Sequence, residues 1–346
     1  MTIDTVLSRR RLLTAVALGA AAPALLPSVS LAQAPPPVSI LNVSYDPTRE
    51  FYKEFDAAYA AFWLRHTGQV VTINQSHGGS GKQARAVVDG LEADVVTLAL
   101  AADIDELATR AQLLPTNWQS RLPDNSTPYA STIVFLVRKG NPKGIHDWSD
   151  LLKPGVASIA ANPKTSGGAR WVYLAAWAWA EKTGGSPAAA QSYVQKLYQT
   201  VPVLDTGSRG ATVTFAQRSI GDVLLGWENE AFLALDEFGA ANFDIVYPSL
   251  SILAEPPVAL VDKIVDRHGT RTVALGYLNF LYSPIGQDLI GKHHFRPRNP
   301  DAVAKYDKSL KNIPMVTIDQ FFGGWTKAQA THFADGGVFD RIYKPA

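Results

Sequence analysis

This chain of 346 residues reads as an α/β protein made of two doubly wound lobes with a ligand cleft between them. Three observations carry that reading. Apolar strand-like runs alternate with segments of helical periodicity from residue 38 onward. The alternation breaks at "PTNWQSRLPDNSTP", residues 115–128, and then resumes. Glycine-rich turns follow the strands at the points where helices begin, and ligands of open α/β sheets sit at such strand ends. The expected lobes are 38–120 with 250–308, and 121–249 with 309–346.

The elements follow in order. "VSILNVSY" (38–45) alternates like a strand and meets Asp46-Pro47, an acid at the N-cap with proline at the first helical position. Phe51, Phe55, Ala58 and Phe62 then recur at spacings of three or four, an amphipathic helix. "QVVTINQS" (69–76) is a strand, Ala84, Val87, Val88 and Leu91 mark a helix, and "DVVTLAL" (94–100) is a buried strand. "STIVFLVRKGNP" is a long strand crossing between lobes. "VASIAA", "VPVLDTGSRG" and "IGDVLLGW" each precede a helix, "FDIVYPSLSILAEPPVALVDK" (243–263) is a return crossing, and helices near 269–293 and 317–334 complete the lobes.

The N-terminus is of another kind. Arg9, Arg10 and Arg11 lead into the short apolar run "LLTAVALGAAA", and small residues follow at Ser30-Leu31-Ala32 and Ala32-Gln33-Ala34. That is the pattern of an export signal over residues 1–32, with the paired arginines and leucines favouring the twin-arginine route. The formal charge is +1, but with the three arginines and Asp4 of that segment set aside, 29 basic residues face 30 acidic ones. Such balance offers no field for nucleic acid. Zero cysteines exclude disulfides and thiolate metal sites, and the seven histidines show no metal-binding spacing. No cofactor or metal is expected.

The candidate chemistry lies in three loops, "HGGSGK" (77–82), "TSGGAR" (165–170) and "TGSRG" (206–210). The first is not a nucleotide-binding P-loop, because Ser76 and Gln83 stand where that motif needs glycine and a hydroxyl. A lipase-type elbow around Ser80 fails at Lys82. What the three share is hydroxyls, glycines and a helix directly after. A helix start leaves N–H groups unpaired and carries about half a positive charge, so it attracts anions. Each loop alone reads as ordinary N-capping; three in series point to one pocket for a small oxyanion. Lys82, Arg170 and Arg209 would add positive potential. The tryptophans of "RWVYLAAWAWA" have helical spacing and read as packing, while Trp227 at a strand end offers an indole N–H that can only donate. A serine-dependent hydrolase using Ser80 or Ser166 with His77 is the alternative from another class.

These residues, together with "NVSYDPTREFY", "EADVVTLAL", "NPKTSGGARW", "GDVLLGWENEA", "ILAEPPV", "YSPIGQ" and "FGGWTKAQATHFADGGVFD", resemble the bacterial periplasmic sulfate-binding proteins from about residue 38 to 341. The resemblance implies a two-lobed periplasmic binding protein of type II-like fold. It would be a monomer and not an enzyme, delivering sulfate to the membrane permease of an ABC importer, with thiosulfate as the close rival and molybdate, phosphate or an organic anion more distant. It implies a dianion held by the Asp46 N–H, the Ser80 hydroxyl, the Ser166 hydroxyl and N–H, the N–H groups of Gly167, Gly168 and Ser208, and the Trp227 indole. Ser208 stands where the family often has alanine, and Thr165 and Thr206 where it often has serine. An all-neutral donor set implies an affinity nearly flat from about pH 5 to about pH 8.

Overall fold

The computed structural model describes residues 34–343, so the export signal expected at 1–32 lies outside the described residues. From Pro35 onward the chain forms one compact unit containing two main sheets. Their strands are β1 (Val38–Tyr45), β2 (Val71–Gly78), β3 (Val95–Thr97), β4 (Ile133–Arg138), β5 (Ser158–Ala161), β6 (Leu204–Asp205), β7 (Val223–Trp227), β8 (Phe243–Val246) and β9 (Val258–Leu260). The first sheet has the order β9-β3-β1-β2 and the second β6-β5-β7-β4-β8. Strands joined through helices run parallel, as β1 does to β2 and β3, and β5 to β6 and β7. The returning segments add antiparallel strands, β9 against β3 and β4 between β7 and β8.

The principal helices are α1 (Arg49–Thr67), α2 (Ser80–Val88), α3 (Ala101–Thr109), α4 (Gly167–Gly184), α5 (Pro187–Gln199), α6 (Ser208–Thr212), α7 (Glu228–Phe238), α8 (Asp262–His268), α9 (Arg271–Phe280) and α10 (Pro284–Lys292). α1 buries Phe51, Tyr52, Phe55 and Tyr59; of the expected stripe Phe51 and Phe55 are fully buried, while Ala58 and Phe62 are partly buried against the same core. Against it packs α9, through Tyr277 edge-on to Phe55 and the Tyr59 hydroxyl donating to Val273 O at 2.6 Å. α4 is buried on nearly every side from Gly167 to Ala178, and Trp171 stands edge-on to Trp325 at 4.7 Å, so its tryptophans are packing.

Several expectations shift. Asp46 does not cap a helix with its carboxylate: a short 3-10 turn, Asp46–Thr48, comes first, and the carboxylate instead receives Arg49 Nη2 at 3.2 Å. The helix expected over 269–293 is two, because Ser283 opens a new N-cap and Pro284 cannot continue the old ladder. The one expected over 317–334 breaks at Gly323 and Gly324, both at positive φ. Of the strand expected over 131–142, Ile133–Arg138 forms β4 inside the second sheet, and the crossing between sheets is carried just before it: Tyr129–Ala130 pairs with Arg296–Pro297, and Ser131 bridges Ala254.

A polar network runs beneath the first sheet. Tyr277 donates to Asp56 Oδ1 and Gln75 Nε2 to Oδ2, both at 2.7 Å, while Asn42 links Gln75, Tyr277 and Thr97. Burial pushes the Asp56 carboxyl up to about 7, and those donated bonds only partly oppose it. The folded state therefore holds the Asp56 proton more tightly than the unfolded chain does. Its contribution to stability is present in acid and is lost as pH rises from about 4 through about 7. Compared with the wild type, Asp56→Asn should lack this component of the pH slope in urea midpoints. Phe55→Ala should cost about 3–5 kcal/mol in the same assay, since Phe55 is fully enclosed by rings.

Candidate functional site

Five chain segments meet where the carboxyl ends of the two sheets face each other. From the first lobe come the turn after β1 at Asp46 and the loop between β2 and α2 that ends in Gly79 and Ser80. From the second come the starts of α4 and α6 and the end of β7 at Trp227. The contact is backbone on backbone. A Cβ on Gly79 would fall 2.6 Å from Thr165 O and 3.1 Å from Thr206 O, so only glycine lets the first lobe's loop seat between the other two. A Cβ on Gly168 would fall 2.7 Å from Ser208 Oγ and 3.1 Å from Trp227 Nε1. Gly167 lies against Ser80 and Ala99, and Gly207 beside the Asp46 carboxylate. The three loops singled out in the sequence thus converge, and Asp46, Ser80, Ser166, Gly167, Gly168, Ser208 and Trp227 belong to one cluster.

The helix starts keep donors available. α2 and α6 begin after Gly79 and Gly207 without any side-chain cap. Ser166 caps α4 by accepting from Ala169 N at 3.3 Å, which uses an oxygen lone pair and leaves the hydroxyl proton free to donate. The Trp227 indole is buried, tilted against Tyr45 at 5.4 Å, and makes only a long 3.4 Å contact to Gly168 O. The Thr165 hydroxyl is turned to Thr206 O at 2.8 Å and ties the second and third loops together.

Ser80 departs from expectation. Its hydroxyl accepts from Ala99 N at 3.0 Å and donates to Asp103 Oδ2 at 2.5 Å, so in this structure its proton is committed to a carboxylate. The residue contributes to the pocket as the first residue of α2, and as a hydroxyl donor only if Asp103 releases it. Asp103 is buried, and its other oxygen takes Arg170 Nη1 at 3.1 Å. Arg170 also donates to Pro163 O and Gln329 Oε1.

The cations expected to add positive potential are mostly spent. Arg170 is consumed by Asp103, and Arg209 is forked onto Glu237 through two 2.5 Å bonds. Lys82 is exposed. Burial raises the Asp46 carboxyl, opposed chiefly by Arg49 and more weakly by Arg209 and Lys82. His77 is driven down to about 4 by burial and by Arg49, so its ring is neutral, and it bonds neither Ser80 nor Ser166. The serine–histidine pair of a hydrolase is not assembled among the described residues. No group of three or more His, Asp or Glu suited to a metal is present among them either.

Three participants escaped the sequence: Asp103, Asn229 and Glu230. Asn229 Nδ2 donates to Pro47 O at 3.2 Å and joins α7 to the turn beside Asp46. Glu230 is buried and lines a small cavity with Gly168, Ser208 and Trp227. Burial first, and then the Asp46 charge, push its carboxyl up to about 8. The only hint was the run of polar residues Glu228, Asn229 and Glu230 in "WENEA", directly after a strand that ends in Trp227. Larger clefts lie elsewhere, one beside Lys139, Phe232 and Lys311 and another beside Asp105, Trp171 and Trp325, but neither is lined by the three glycine-rich loops.

Two α/β lobes meeting over bare helix N-termini make a receptor for a small solute. Residues 40–296 match the bacterial extracellular solute-binding protein family, and the chain belongs to it. It is 58% identical over 308 residues to the sulfate-binding protein of Escherichia coli (strain K12), covering 89% of this chain and 93% of that one. It is 51% identical over 306 residues to the thiosulfate-binding protein of Pseudomonas aeruginosa, covering 88% and 92%. Among solved structures, the sulfate-binding protein SubI from Mycobacterium tuberculosis H37Rv aligns with a TM-score of 0.77 at 32% identity, over 85% of this chain and 98% of that chain.

Because the Gly79 seat admits no side chain, Gly79→Ala should hold the lobes apart while leaving each folded. Small-angle scattering checks this as a larger radius of gyration with an unchanged far-UV spectrum; an unaltered radius would show that the loop accommodates a methyl group.

Proposed function

We propose that this chain is a sulfate receptor that encloses the anion between its lobes and hands it to an ABC-type importer, without catalysing a reaction. The observation that carries the reading is the meeting of Gly168, near the start of α4, with Ser208 and the Trp227 indole around one small cavity, while Arg170 and Arg209 nearby are paired with Asp103 and Glu237. In this proposal the donors are the Asp46 N–H, the start of α2 at Ser80, the Ser166 hydroxyl and N–H, the N–H groups of Gly167, Gly168 and Ser208, and the indole. The lobe limits stated above, residence in the periplasm after export by residues 1–32, and a monomeric state belong to the same proposal.

The energetics are sufficient. About seven hydrogen bonds to a charged acceptor, each worth roughly 1.5–3 kcal/mol, give a gross gain of about 10–20 kcal/mol. Lost translational and rotational freedom costs about 4–15 kcal/mol, which leaves room for micromolar binding. Selectivity follows from protons. Hydrogen phosphate would bring an O–H into a wall of donors, and a buried mismatch costs about 1–3 kcal/mol or more. Sulfate has no proton to place. Thiosulfate is the second reading, favoured by the 51% identical relative that carries that name.

A melting-point panel of sulfate, thiosulfate, molybdate and phosphate on the mature chain tests the proposal, because a ligand that binds only the native state raises its melting point. Sulfate should give the largest rise and phosphate close to none; a larger rise with thiosulfate would exchange the two readings. Trp227→Phe removes one donor and keeps the ring against Tyr45, so calorimetry should find sulfate bound about 10- to 100-fold more weakly. Unchanged affinity would remove the indole from the site.

A further inference from the structure

Trp227, Glu228 and Asn229 follow one another at the end of β7 and the start of α7, and each faces a different partner. The Trp227 indole lines the small cavity with Gly168 and Ser208. Asn229 Nδ2 reaches across to Pro47 O of the first lobe. Glu228, between them, is fully buried and turns to the segments that cross between the lobes. Its main-chain N–H donates to Thr132 O at 2.9 Å, and the Thr132 hydroxyl in turn reaches Ser251 Oγ at 2.8 Å and Ile252 O at 3.0 Å. Its carboxylate takes Nε and Nη2 of Arg296, each at 2.8 Å, and Nη2 also donates to Lys311 O at 2.7 Å. Two residues before Arg296, His294 stacks on Phe232 of α7 with ring centres 4.5 Å apart. Stretches of chain around 132, 251, 296 and 311 are thus gathered on the residue next to the indole.

We propose that Glu228, clamped by Arg296, is a positioning residue for the captured anion: it fixes the end of β7 so that the Trp227 indole N–H faces the cavity. The inference rests on the sulfate reading and goes beyond it, since neither Glu228 nor Arg296 lines that cavity. The indole has little of its own to orient it. Among the described residues it has one long contact, to Gly168 O at 3.4 Å, and the Tyr45 ring beside it. A donor held by packing alone takes its direction from its backbone. The backbone at Trp227 is held by its place opposite Ile133 in the sheet and by the bonds of the residue that follows. A buried ion pair contributes little net stability, because desolvation opposes the attraction, but a fork through two nitrogens sets angle as well as distance. Lysine in place of Arg296 would keep the charge and lose the fork.

The experiment is a double-mutant cycle read by calorimetry of the full mature chain with sulfate, over the wild type, Arg296→Lys, Trp227→Phe and the two changes together. Arg296→Lys should bind sulfate about tenfold more weakly than the wild type. In the Trp227→Phe background the same change should weaken binding by less than about twofold, because the donor it acts through is gone. Equal weakening in both backgrounds marks a general structural role and overturns the inference. So does an unchanged affinity in Arg296→Lys or in Trp227→Phe. If Arg296→Lys does not fold, the paired change Arg296→Met with Glu228→Leu, which leaves no buried charge behind, goes through the same cycle and is judged by the same outcomes. Sulfate binding by the wild type with an additive cycle defeats this inference alone. No sulfate binding by the wild type defeats the sulfate reading, and the inference falls with it.

Discussion

The structure depends on one close approach. Backbone from the β2–α2 loop must lie directly on backbone from the α4 and α6 starts, and Gly79 and Gly168 are the positions at which a methyl group would collide with Thr165 O, Ser208 Oγ or the Trp227 indole. The proposed anion site depends on that contact. Helix N–H groups act as donors only within hydrogen-bonding distance, and their dipolar field fades within about a turn. Side chains at those positions would hold the helix starts apart and leave each as an ordinary capped helix.

The charges around the cluster follow the same logic. Arg170 is a guanidinium at the start of α4, where a cation is poorly placed with respect to the helix dipole. It is compensated by Asp103 from α3, which also holds Ser80. The ion pair thus joins two of the helix starts, and by cancelling its own charge it leaves the pocket to neutral donors. Such a pair is weak evidence for stability, since desolvation opposes the attraction, but it fixes geometry. Asp46 and Glu230 are the opposite case: burial raises both carboxyls, and the charges of Arg49 and Arg209 oppose it only in part.

The segments that cross between lobes are tied to the structure around them. Ser251 Oγ bonds Thr132 and Ile133, Ser131 pairs with Ala254, and Arg296 is forked onto the buried Glu228 at 2.8 Å through both nitrogens. These bonds bind the crossings to one another near their middle. Contacts such as Asn229 to Pro47 O and the Trp171 indole to Ala99 O, at 2.9 Å, join the lobes at the cleft itself.

Much of this was legible from residue order alone, because it is local. Period-two and period-3.6 patterns place β1, α1 and the strand–loop–helix units; Ser283-Pro284 and Gly323-Gly324 hold the signals that split two helices, although a continuous apolar stripe hid them. The glycine and hydroxyl content of the three loops marks them as helix starts with spare donors, and the family likeness names the residues that then cluster. What the order of residues could not convey is pairing across distance. The Ser80 proton goes to Asp103, 23 positions away, Arg170 is spent on the same carboxylate, and Glu230 lines one small cavity with Gly168 and Ser208. Those outcomes turn on desolvation and on which partner lies within about 3 Å once both sheets have formed. Neither quantity exists until the chain has folded.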